Sequence, residues 1–586
     1  MRPRAAAHAL DEIASLLELH GESRFRSRAW RTAARAIQAL PDPDLTPRLR
    51  SGDLESVPGV GPAVLDVLRD LADTGDSEYL ELLRENTPEG LLEMLRVPGL
   101  GTTRIHLIHE GLGVETLHEL EQAARDGRLA TLPGFGSKTA EKVLRGIAFL
   151  KAGGGAILFP HALAEAGRLL AAVRAHPDVT MAAIAGEIRR HCEIVHQVEI
   201  VAACRHDPAR VAAAIAHAPG VRDAVGGGGP SVSIRWDDGT RLELNCVPAD
   251  EYPVALWRAT GSNAHVDAVL ELATSRGFTL RGNALFDRDG RVHLPDERAL
   301  YGAIGLPWVA PELREDRGEV DAAIAGELPT LVTSDDIRGV LHCHSRYSDG
   351  HASIAELADA ALAQGWSYLG ITDHSQSAFY AGGLERDTIL RQHDEIDAVN
   401  ARDTGVRVLK GIEADILPCG RVDYDAEVLD RFDYVIASVH SRFGMNEAQM
   451  TERILKALDD PHVTILGHPT GRLLLTREPY RLDIEAVLER AGEAGVAVEL
   501  NADPHRLDLD WRFLGSARRH GVRIEIGPDA HSVQGLANMD IGIGIARKGG
   551  LSAADVLNTL DADGVVAFAR ARDRRAPAAM GQADGW

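Results

Sequence analysis

The stretch GVLHCHSRYSDG at 339–350 decides the fold of the C-terminal half of this chain. It begins as a short apolar strand and ends in a polar loop. Six later segments repeat this arrangement: YLGITDH at 368–374, VRVLKGIE at 406–413, YVIASVH at 434–440, VTILGH at 463–468, GVAVELN at 495–501 and VRIEIGPDAH at 522–531. Helical stretches such as SIAELADAALAQG at 353–365 fall between them. This alternation predicts seven parallel strands closed into a barrel.

Most of these segments end in a residue that can bind a metal ion. His342 and His344 lie two apart on a strand and so point to one face, while Cys343 points to the other. The remaining candidates are Asp349, His374, Glu413, His440, His468, Asp529 and His531. Barrel enzymes place their sites at the carboxyl ends of the strands, so we expect one shared cleft. Nitrogen and oxygen ligands without a thiolate suit two or three divalent cations, Mn²⁺ or Zn²⁺.

Not every histidine or carboxylate near a strand end is predicted to be a metal ligand. A single histidine is more often a core or surface residue than a ligand, and only the joint pattern in register with the strands indicates a site. Asp373, Glu499 and Asp503 also lie near strand ends, and we interpret them as residues that support the ligands or the fold. Cys343 is predicted to be a packed thiol of the core.

Length and composition bound the class of protein. With 586 residues the chain is too long for one core and predicts several domains. Its 45% hydrophobic and 26% charged residues are ordinary globular values, which argue against disorder and fibrous repeats. Five scattered cysteines show no framework spacing, and no apolar run is long enough to span a bilayer. Acidic residues follow soon after the N-terminus, before a signal-peptide core could form. We therefore expect a cytoplasmic protein without a membrane partner.

A short motif recurs in the N-terminal part, which is predicted to be helical. It reads VPGVGP at 57–62, VPGLGT at 97–102 and LPGFGS at 132–137. A Pro-Gly-apolar-Gly turn that enters a helix exposes backbone N–H groups, which can bind a phosphate without a basic side chain. This matters because the net charge of −24 otherwise argues against a nucleic-acid partner. The predicted DNA contacts are Gly59, Gly61, Gly99, Gly101, Gly134, Gly136 and Lys138.

The C-terminal segment resembles the PHP (polymerase and histidinol phosphatase) domain over about 338–572. The motifs HxH, SDG, TDH, GIE, SVH, GHP and DAH are all present. The resemblance implies a distorted (β/α)₇ barrel that hydrolyses phosphoesters at a trinuclear metal centre, with all nine ligand positions retained and Glu413 as a bridge. Adjacent ions lower the pKa of a bound water and neutralise the charge of the transition state.

The order of parts resembles a bacterial family X DNA polymerase fused to PHP. The segments RAWRTAARAI at 28–37, GEIRRHCEIVHQVEIV at 186–201, ALWRATGSNAH at 255–265 and APELREDRGEV at 310–320 support this. Apolar strands near 180–188, 194–203, 231–236 and 241–247 fit a nucleotidyltransferase palm. The resulting multidomain α+β and α/β division is a lyase-like helical domain with the first helix-hairpin-helix at 1–85, helix-hairpin-helix fingers at 86–155, the palm at 156–250, a thumb at 251–318, a linker at 319–337, the PHP domain at 338–572 and a tail at 573–586.

The palm departs from the family pattern at its catalytic positions. Where the family has three aspartates that hold two Mg²⁺, this chain has Gln197, Glu199 and Glu243. Gln197 offers a neutral oxygen, and the glutamates displace their charge by one methylene. The Gly-Ser that grips the triphosphate is Gly186-Glu187 here, and Glu187 would repel it. The sequence therefore predicts a degenerate polymerase site in which Mg²⁺ binds poorly or not at all.

Further palm positions point the same way. Arg258 and Ala259 replace the aromatic pair beside Thr260 and Gly261. Arg189 and Arg190 are retained. A structural role or contact with a backbone phosphate explains them at least as well as binding of the triphosphate. The lyase function is also predicted to be absent, because it needs an amine nucleophile. No lysine precedes Lys138, and Val67 stands at the family's lyase position.

The leading hypothesis is a DNA-repair protein that acts as a metal-dependent 3′→5′ exonuclease or 3′-end phosphoesterase, with cleavage at abasic sites as a further activity. Its partner would be gapped DNA or DNA with 3′ ends, and the protein would be a monomer. Three alternatives remain: a bifunctional polymerase with an editing nuclease for gap filling, a non-enzymatic DNA-end scaffold with structural metals, and a small-molecule phosphatase.

Overall fold

The computed structural model describes most of the chain and divides it into two compact units, residues 1–155 and 156–586. The described residues are 1, 3–22, 24–40, 44–73, 77, 79–80, 83, 87, 91, 94–95, 97, 99–115, 117–153, 156–218, 221–226, 229–236, 241–378, 381–402 and 404–571. The predicted tail at 573–586 lies outside them. Within the described residues, no helix is both long and apolar enough to cross a membrane.

The first unit is helical. Its apolar core is formed by residues such as Leu10, Ile13, Ile37, Ile105 and Ile108. The helices are Pro3–Leu19, Arg24–Gln38, Thr46–Ser51, Pro62–Asp73, Thr102–Leu112, Leu117–Arg125 and Ser137–Gly153, with 3₁₀ turns at Asp53–Ser56 and Arg128–Thr131.

The three Pro-Gly motifs adopt the same turn. In each, the N–H of the residue after the first glycine bonds to a carbonyl three residues earlier: Val60 to Val57, Leu100 to Val97 and Phe135 to Leu132, each at 3.0 Å. The first glycines have φ of 91° at Gly59, 81° at Gly99 and 82° at Gly134. A type II turn requires this left-handed conformation at its third position, which glycine adopts without strain. A helix begins directly after each second glycine.

The second unit begins with a five-stranded sheet. Its strands lie in the spatial order Val179–Ile184, Val198–Cys204, Arg241–Pro248, Ser231–Trp236 and Val221–Val225. The second and third are parallel, and the other neighbours are antiparallel. Helices Phe159–Arg174 and Pro208–Ala216 pack against the sheet, and Ile157–Leu158 pairs with Ile194–Val195.

Two strand predictions were wrong in this region. The strand predicted at 180–188 ends at Ile184, because Gly186 with φ of 61° turns the chain into the short helix Gly186–Arg189. The strand predicted at 194–203 is two strands, since Ile194–Val195 pairs outside the five-stranded sheet.

A mainly helical segment follows the sheet. It contains the helices Tyr252–Thr260, Asn263–Ser275, Glu297–Ala303 and Glu319–Ala325, the 3₁₀ turn Pro311–Leu313, and a three-stranded sheet of Thr279–Arg281, Ala284–Asp287 and Gly290–Arg291. Trp257 and Tyr301 are buried at its centre. The 3₁₀ turn Ser334–Asp336 lies before the next domain.

The C-terminal part is a seven-stranded parallel barrel, as predicted. Its strands, numbered here from first to seventh, are Gly339–Val340, Tyr368–Ile371, Arg407–Asp415, Tyr434–Ser438, Val463–Leu466, Ala497–Asn501 and Ile524–Gly527. A bridge between Cys343 and Ala530 joins the first strand region to the last and nearly closes the barrel. The helices around it are Ile354–Ala363, Arg386–Asn400, Ala426–Leu429, Glu447–Leu458, Ile484–Ala494, Trp511–Arg519, Asn538–Lys548 and Ala562–Arg570, with 3₁₀ turns at Val533–Ala537, Ala553–Asp555 and Leu557–Thr559.

Two apolar layers hold the barrel together. One contains Cys343, so its thiol is a packed core group as expected. The other contains Tyr368, Tyr434, Ile436 and Ile465, which are buried together with the C-terminal helix Ala562–Arg570. The polar cleft described next lies at the carboxyl ends of the strands.

Candidate metal centre

All nine predicted ligands converge on one cleft. Eight of them follow a barrel strand, and Glu413 lies within the third strand, two residues before its end. The parallel direction of the strands brings their carboxyl ends to the same rim. Glu413 lies at the centre, with five histidines around its carboxylate. The distances from its oxygens are 2.9 Å to His374 Nδ1, 3.0 Å to His468 Nε2, 3.2 Å to His440 Nε2, 3.5 Å to His342 Nε2 and 3.7 Å to His344 Nε2.

Two aspartates complete the cleft. Asp529 Oδ1 lies 3.3 Å from His344 Nε2 and 3.6 Å from His342 Nε2. Asp349 lies 3.4 Å from His531 Nε2 and 3.6 Å from His374 Nε2. Three groups have ligand atoms within 4.8 Å of one another: His344, Asp349, His374 and His531; His342, His344 and Asp529; and His374, Glu413 and His440.

Several ligand-type atoms in the cleft are buried without a hydrogen-bond partner. Within the described part of the chain they are His342 Nε2, both ring nitrogens of His344 and His468 Nδ1. His374 Nδ1 and Glu413 Oε2 belong with them, because they lie 2.9 Å apart but without the geometry of a hydrogen bond. A buried polar atom without a partner is costly, and such atoms gathered at one point fit bound cations. The residues present therefore suit a metal site.

The backbone at two of these residues is unusual. His468 has φ of 21° and Asp529 has φ of 49°, in the left-handed region that non-glycine residues rarely adopt. Such conformations gather at functional sites, where the surrounding structure holds a side chain in a required place.

Buried carboxylates and an amide orient the ligands from behind. His342 Nδ1 donates to Glu499 Oε1 at 2.5 Å, and His440 Nδ1 donates to Asp415 Oδ1 at 2.7 Å. Asn501 Nδ2 donates to Asp529 Oδ2 at 3.0 Å. These bonds fix the ring tautomers so that Nε2 faces the cleft in both histidines.

The supporting residues named from the sequence have distinct contacts. Glu499 contacts His342, whereas Asp373 accepts from the backbone N–H of Ser345 at 2.8 Å and shapes the loop after the first strand. Asp503 caps its own loop by accepting the N–H of His505 at 2.8 Å. Sequence reasoning missed Asp415, although its place at the end of the third strand was a usable signal.

The electrostatics of the cleft follow from burial and close pairing. Burial disfavours the imidazolium of His374, but the Glu413 and Asp349 carboxylates outweigh it and raise the pKa to about 10. Burial acts likewise on His440, and Glu413 with Asp415 raises its pKa to about 9. Burial and the neighbouring His374 lower the pKa of His344 to about 3.

The palm carboxylates lie side by side. Glu199 and Glu243 are paired across neighbouring parallel strands. Burial, with the Glu187 and Glu243 carboxylates, raises the pKa of Glu199 to about 7 although Arg190 lowers it. The Glu187 carboxylate accepts the His196 backbone N–H at 2.7 Å. Glu199 therefore carries only part of a negative charge at neutral pH.

The two palm arginines are bound by the segment that follows the sheet. Arg189 donates to Thr260 Oγ1 at 2.7 Å and to Glu297 at 3.0 and 2.5 Å. Arg190 donates to Glu315 Oε1 at 2.9 Å and to the Thr260 carbonyl at 2.8 Å. Both guanidiniums are thus ion-paired within the protein.

The helix-hairpin-helix candidates are placed in the first unit. Gly61, Gly101 and Gly136 each precede a helix, and a Cβ built there would meet nothing within 4 Å. Lys138 lies exposed in the first turn of Ser137–Gly153. Val67 is buried, so the position predicted to lack the lyase amine lies in the core.

Comparison with known proteins supports this architecture. Family models match a helix-hairpin-helix domain at 1–77, a SAM-like helix-hairpin-helix tandem at 91–148, a DNA polymerase beta thumb at 255–315 and a PHP domain at 341–503. The DNA polymerase/3′-5′ exonuclease PolX of Bacillus subtilis (strain 168) is 35% identical over 570 residues, which cover 96% of this chain and 98% of that protein. A probable phosphatase of Caldanaerobacter subterraneus subsp. tengcongensis is 31% identical over 242 residues, 38% of this chain and 88% of that protein.

The fold and cleft thus define a PHP-domain protein whose barrel is joined to DNA-handling domains. Within that class, the chain belongs to the bacterial family X DNA polymerases that carry a C-terminal PHP domain. It is a DNA-binding member of a polymerase and exonuclease family.

Proposed function

We propose that the protein removes nucleotides or phosphate groups from the 3′ ends of DNA, as a metal-dependent 3′→5′ exonuclease or 3′-end phosphoesterase. The observation that carries this proposal is the cluster of unpartnered buried ligand atoms around Glu413. Buried polar atoms without partners are costly to the fold, and their arrangement matches a centre that binds several cations.

Two or three divalent ions, Mn²⁺ or Zn²⁺, would be held by the nine cleft residues, with Glu413 placed to be shared between them. When bound, such ions activate water and neutralise the charge that develops on a phosphoester. The chain's own contribution is to orient the donors. Glu499 and Asp415 hold the Nδ1 protons of His342 and His440, so that their Nε2 lone pairs face the cleft.

We further propose that the palm has lost most or all polymerising ability. Gln197 provides no negative charge, and Glu199 has a pKa of about 7, so the pair is a weak Mg²⁺ site at neutral pH. Arg189 and Arg190 are already bound to Glu297 and Glu315, and would have to give up these bonds to meet a triphosphate.

The DNA partner is supported by the first unit. Its three turns present helix N-termini whose second glycines leave the backbone N–H groups open to a phosphate. We propose that they hold gapped DNA or DNA with a 3′ end, that the protein acts as a monomer, and that the domain boundaries are those expected from the sequence.

One alternative has support of its own. The related Bacillus subtilis protein is named a DNA polymerase/3′-5′ exonuclease, and this chain keeps two adjacent palm carboxylates, Glu199 and Glu243. These observations favour a bifunctional enzyme that also extends primers.

A paired assay on one gapped duplex separates the two. Wild-type protein with Mn²⁺ is expected to degrade the 3′ end without adding nucleotides, and His342→Ala is expected to abolish degradation while DNA affinity stays nearly unchanged. Extension that Glu199→Ala removes would establish the bifunctional alternative. No degradation by wild type under any metal tested would refute the proposal.

A further inference from the structure

Arg453 is a buried arginine on the helix Glu447–Leu458, which follows the fourth barrel strand. Only 2% of the residue is exposed to solvent. Among the described residues, no carboxylate forms an ion pair with its guanidinium. A buried cation without a paired carboxylate is costly, and hydrogen bonds from its N–H groups must offset that cost.

The guanidinium of Arg453 donates to main-chain carbonyls of two loops. Its Nε lies 3.1 Å from the Ile416 carbonyl and 3.0 Å from the Leu417 carbonyl, and Nη2 also donates to the Ile416 carbonyl. Its Nη1 donates to the Ser441 carbonyl at 2.8 Å and lies 3.8 Å from Met445 Sδ. One planar side chain thus joins the loop after the third strand to the loop after the fourth.

The two joined loops carry a hydrogen-bonded pair of the candidate metal centre. The residues that accept from Arg453 directly follow Asp415 in one loop and His440 in the other. His440 Nδ1 donates to Asp415 Oδ1 at 2.7 Å, and its Nε2 lies 3.2 Å from Glu413 Oε1. The direction of the His440 ring therefore depends on how the two loops are placed relative to each other.

Regular strand pairing stops before this pair. The pairing of the third and fourth strands ends with Asp415 opposite Ser438, two residues before His440. One further main-chain bond reaches the Ser438 carbonyl at 2.7 Å. Arg453 connects the two chains on the far side of His440, at Ser441. The ligand thus lies between the end of the strand pairing and the guanidinium.

The ligand groups of the cleft differ in whether they contain His440. Two of them share no residue: the Glu413 site, formed by His374, Glu413 and His440, and the Asp529 site, formed by His342, His344 and Asp529. A displacement of His440 would therefore weaken the first site and spare the second.

We propose that Arg453 is a positioning residue that holds His440 in register with Asp415 and thereby sets the cation affinity of the Glu413 site. The inference rests on the proposed function, because it takes the cleft to bind metal ions. An arginine suits this role, since its planar fork reaches several carbonyls at once, whereas a lysine donates from a single nitrogen.

The test uses full-length protein with Mn²⁺ alone as the probe, and equilibrium dialysis with elemental analysis measures the binding. In Arg453→Met the carbonyl contacts are lost, so the affinity of the Glu413 site is expected to fall about 10- to 100-fold, as for other groups that orient ligands from behind. The Asp529 site is expected to bind as in wild type. Arg453→Lys keeps the charge and part of the donor set, and it should recover part of the affinity.

Arg314→Lys is the matched control. Arg314 is also fully buried and donates to the Val309 carbonyl and to Glu297, in the segment between the palm and the barrel. Its replacement is expected to lower the Tm without changing Mn²⁺ binding. A loss of Mn²⁺ binding in Arg314→Lys equal to that in Arg453→Lys would overturn the inference, because destabilisation alone would then explain both.

A double-mutant cycle shows whether Arg453 acts through Asp415. Asp415→Asn removes the carboxylate that orients His440, and Arg453→Lys removes contacts that place it. Since both changes act on one ring, the affinity loss in the double variant is expected to be smaller than the product of the two single losses. Losses that multiply would contradict the positioning role, as would wild-type binding curves in both Arg453 variants. The cycle does not need Arg453→Met, so it decides even where that variant fails to fold.

The proposed function and the role of Arg453 fail in distinguishable ways. If wild type binds Mn²⁺ but does not degrade a 3′-recessed duplex, the proposed function is wrong, while the binding curves still decide the role of Arg453. If wild type degrades the duplex and Arg453→Lys binds Mn²⁺ as tightly as wild type, only the positioning role is wrong. Wild-type protein that binds neither Mn²⁺ nor Zn²⁺ would overturn both.

Discussion

At the residue scale, the cleft is organised around one carboxylate. Glu413 lies within 3.7 Å of five histidines, and no single proton arrangement can satisfy all of them. The ring N–H groups of these histidines compete for the lone pairs of the Glu413 oxygens. Bound cations would replace the protons and remove this competition. Glu499 and Asp415 then affect the affinity for a cation, because their hydrogen bonds to Nδ1 leave Nε2 of His342 and His440 facing the cleft.

Glu499 is the supporting residue with the clearest expected effect. In Glu499→Gln, the side chain keeps its size but loses the charge that orients His342 Nδ1, so metal affinity is expected to fall about 10- to 100-fold. Competition with a metallochromic chelator measures this. Glu489→Gln, on an outer helix, is the control, and equal affinities in the two variants would contradict the assigned role.

Metal binding is also expected to depend on pH. In the metal-free protein His374 and His440, with pKa values of about 10 and 9, hold protons at neutral pH. Cations must displace these protons, so affinity should fall as pH is lowered through this range, and binding should release at least one proton. Calorimetry in buffers of different ionisation enthalpy counts the protons. Binding without proton release would contradict these charge states.

The same shifts affect the metal-free fold. Both pKa values lie above the ordinary histidine value of about 6.5, so their contribution to stability is complete below that pH. It is lost as pH rises through 9 and 10. Thermal unfolding in chelator should therefore show a lower Tm at the upper end of this range.

Much of the cleft could be predicted at this scale, and some could not. The ligand candidates could be identified from the sequence because they stand at or near the ends of apolar strands. A parallel barrel brings these strand ends together. Asp415 was missed although it ends the third strand, because its hydrogen bond to His440 depends on how the third and fourth strands are placed beside each other.

At the element scale, the proposed function depends on the three Pro-Gly turns and the barrel strands. The turns were predictable because a type II turn leaves a direct signature of proline followed by glycine. The barrel strands were predictable from their alternation with helices. The first one is shorter than its sequence suggests, with only Gly339–Val340 in regular pairing, because the chain beyond it bonds to the loop after the seventh strand.

The turns give a prediction about DNA. Gly134 has φ of 82° with open space around its Cα, so Gly134→Ala adds strain without a clash. We expect the turn to shift and DNA affinity to fall several-fold, while hydrolysis of a small phosphomonoester by the barrel is unchanged. Gly127→Ala, which has the same backbone strain outside the motifs, is the control for fluorescence-anisotropy binding. Equal affinities for both variants would contradict a DNA contact at the turn.

At the scale of the whole molecule, the second unit is held together by ion pairs between its parts. Glu297 binds Arg189 of the palm and Arg314, whose side chain is fully buried. Glu315 binds Arg190 of the palm and Lys548 of the barrel. The pairs of Glu297 with Arg189 and of Glu315 with Arg190 and Lys548 could not be read from the sequence, because each joins residues more than a hundred positions apart.

Glu297 provides a test of this assembly. Glu297→Gln leaves two arginines without their carboxylate, so the free energy of unfolding of the second unit is expected to fall by about 3 kcal/mol. The exposed pair of Arg407 and Asp563 is the control, and Asp563→Asn should cost less than about 1 kcal/mol. Denaturant unfolding measures both, and similar losses would refute the assigned importance of Glu297.

The contacts of Glu193 have a consequence for how this protein could evolve. This palm residue accepts from Trp511 Nε1 at 3.1 Å and lies 3.6 Å from Arg472, the side chain that holds the Arg506 carbonyl. A barrel separated from its palm would lose the contacts of Glu193 with Trp511 and Arg472, which lie near the rim of the cleft. A gene fission that separated the barrel from the palm would therefore have to replace these contacts.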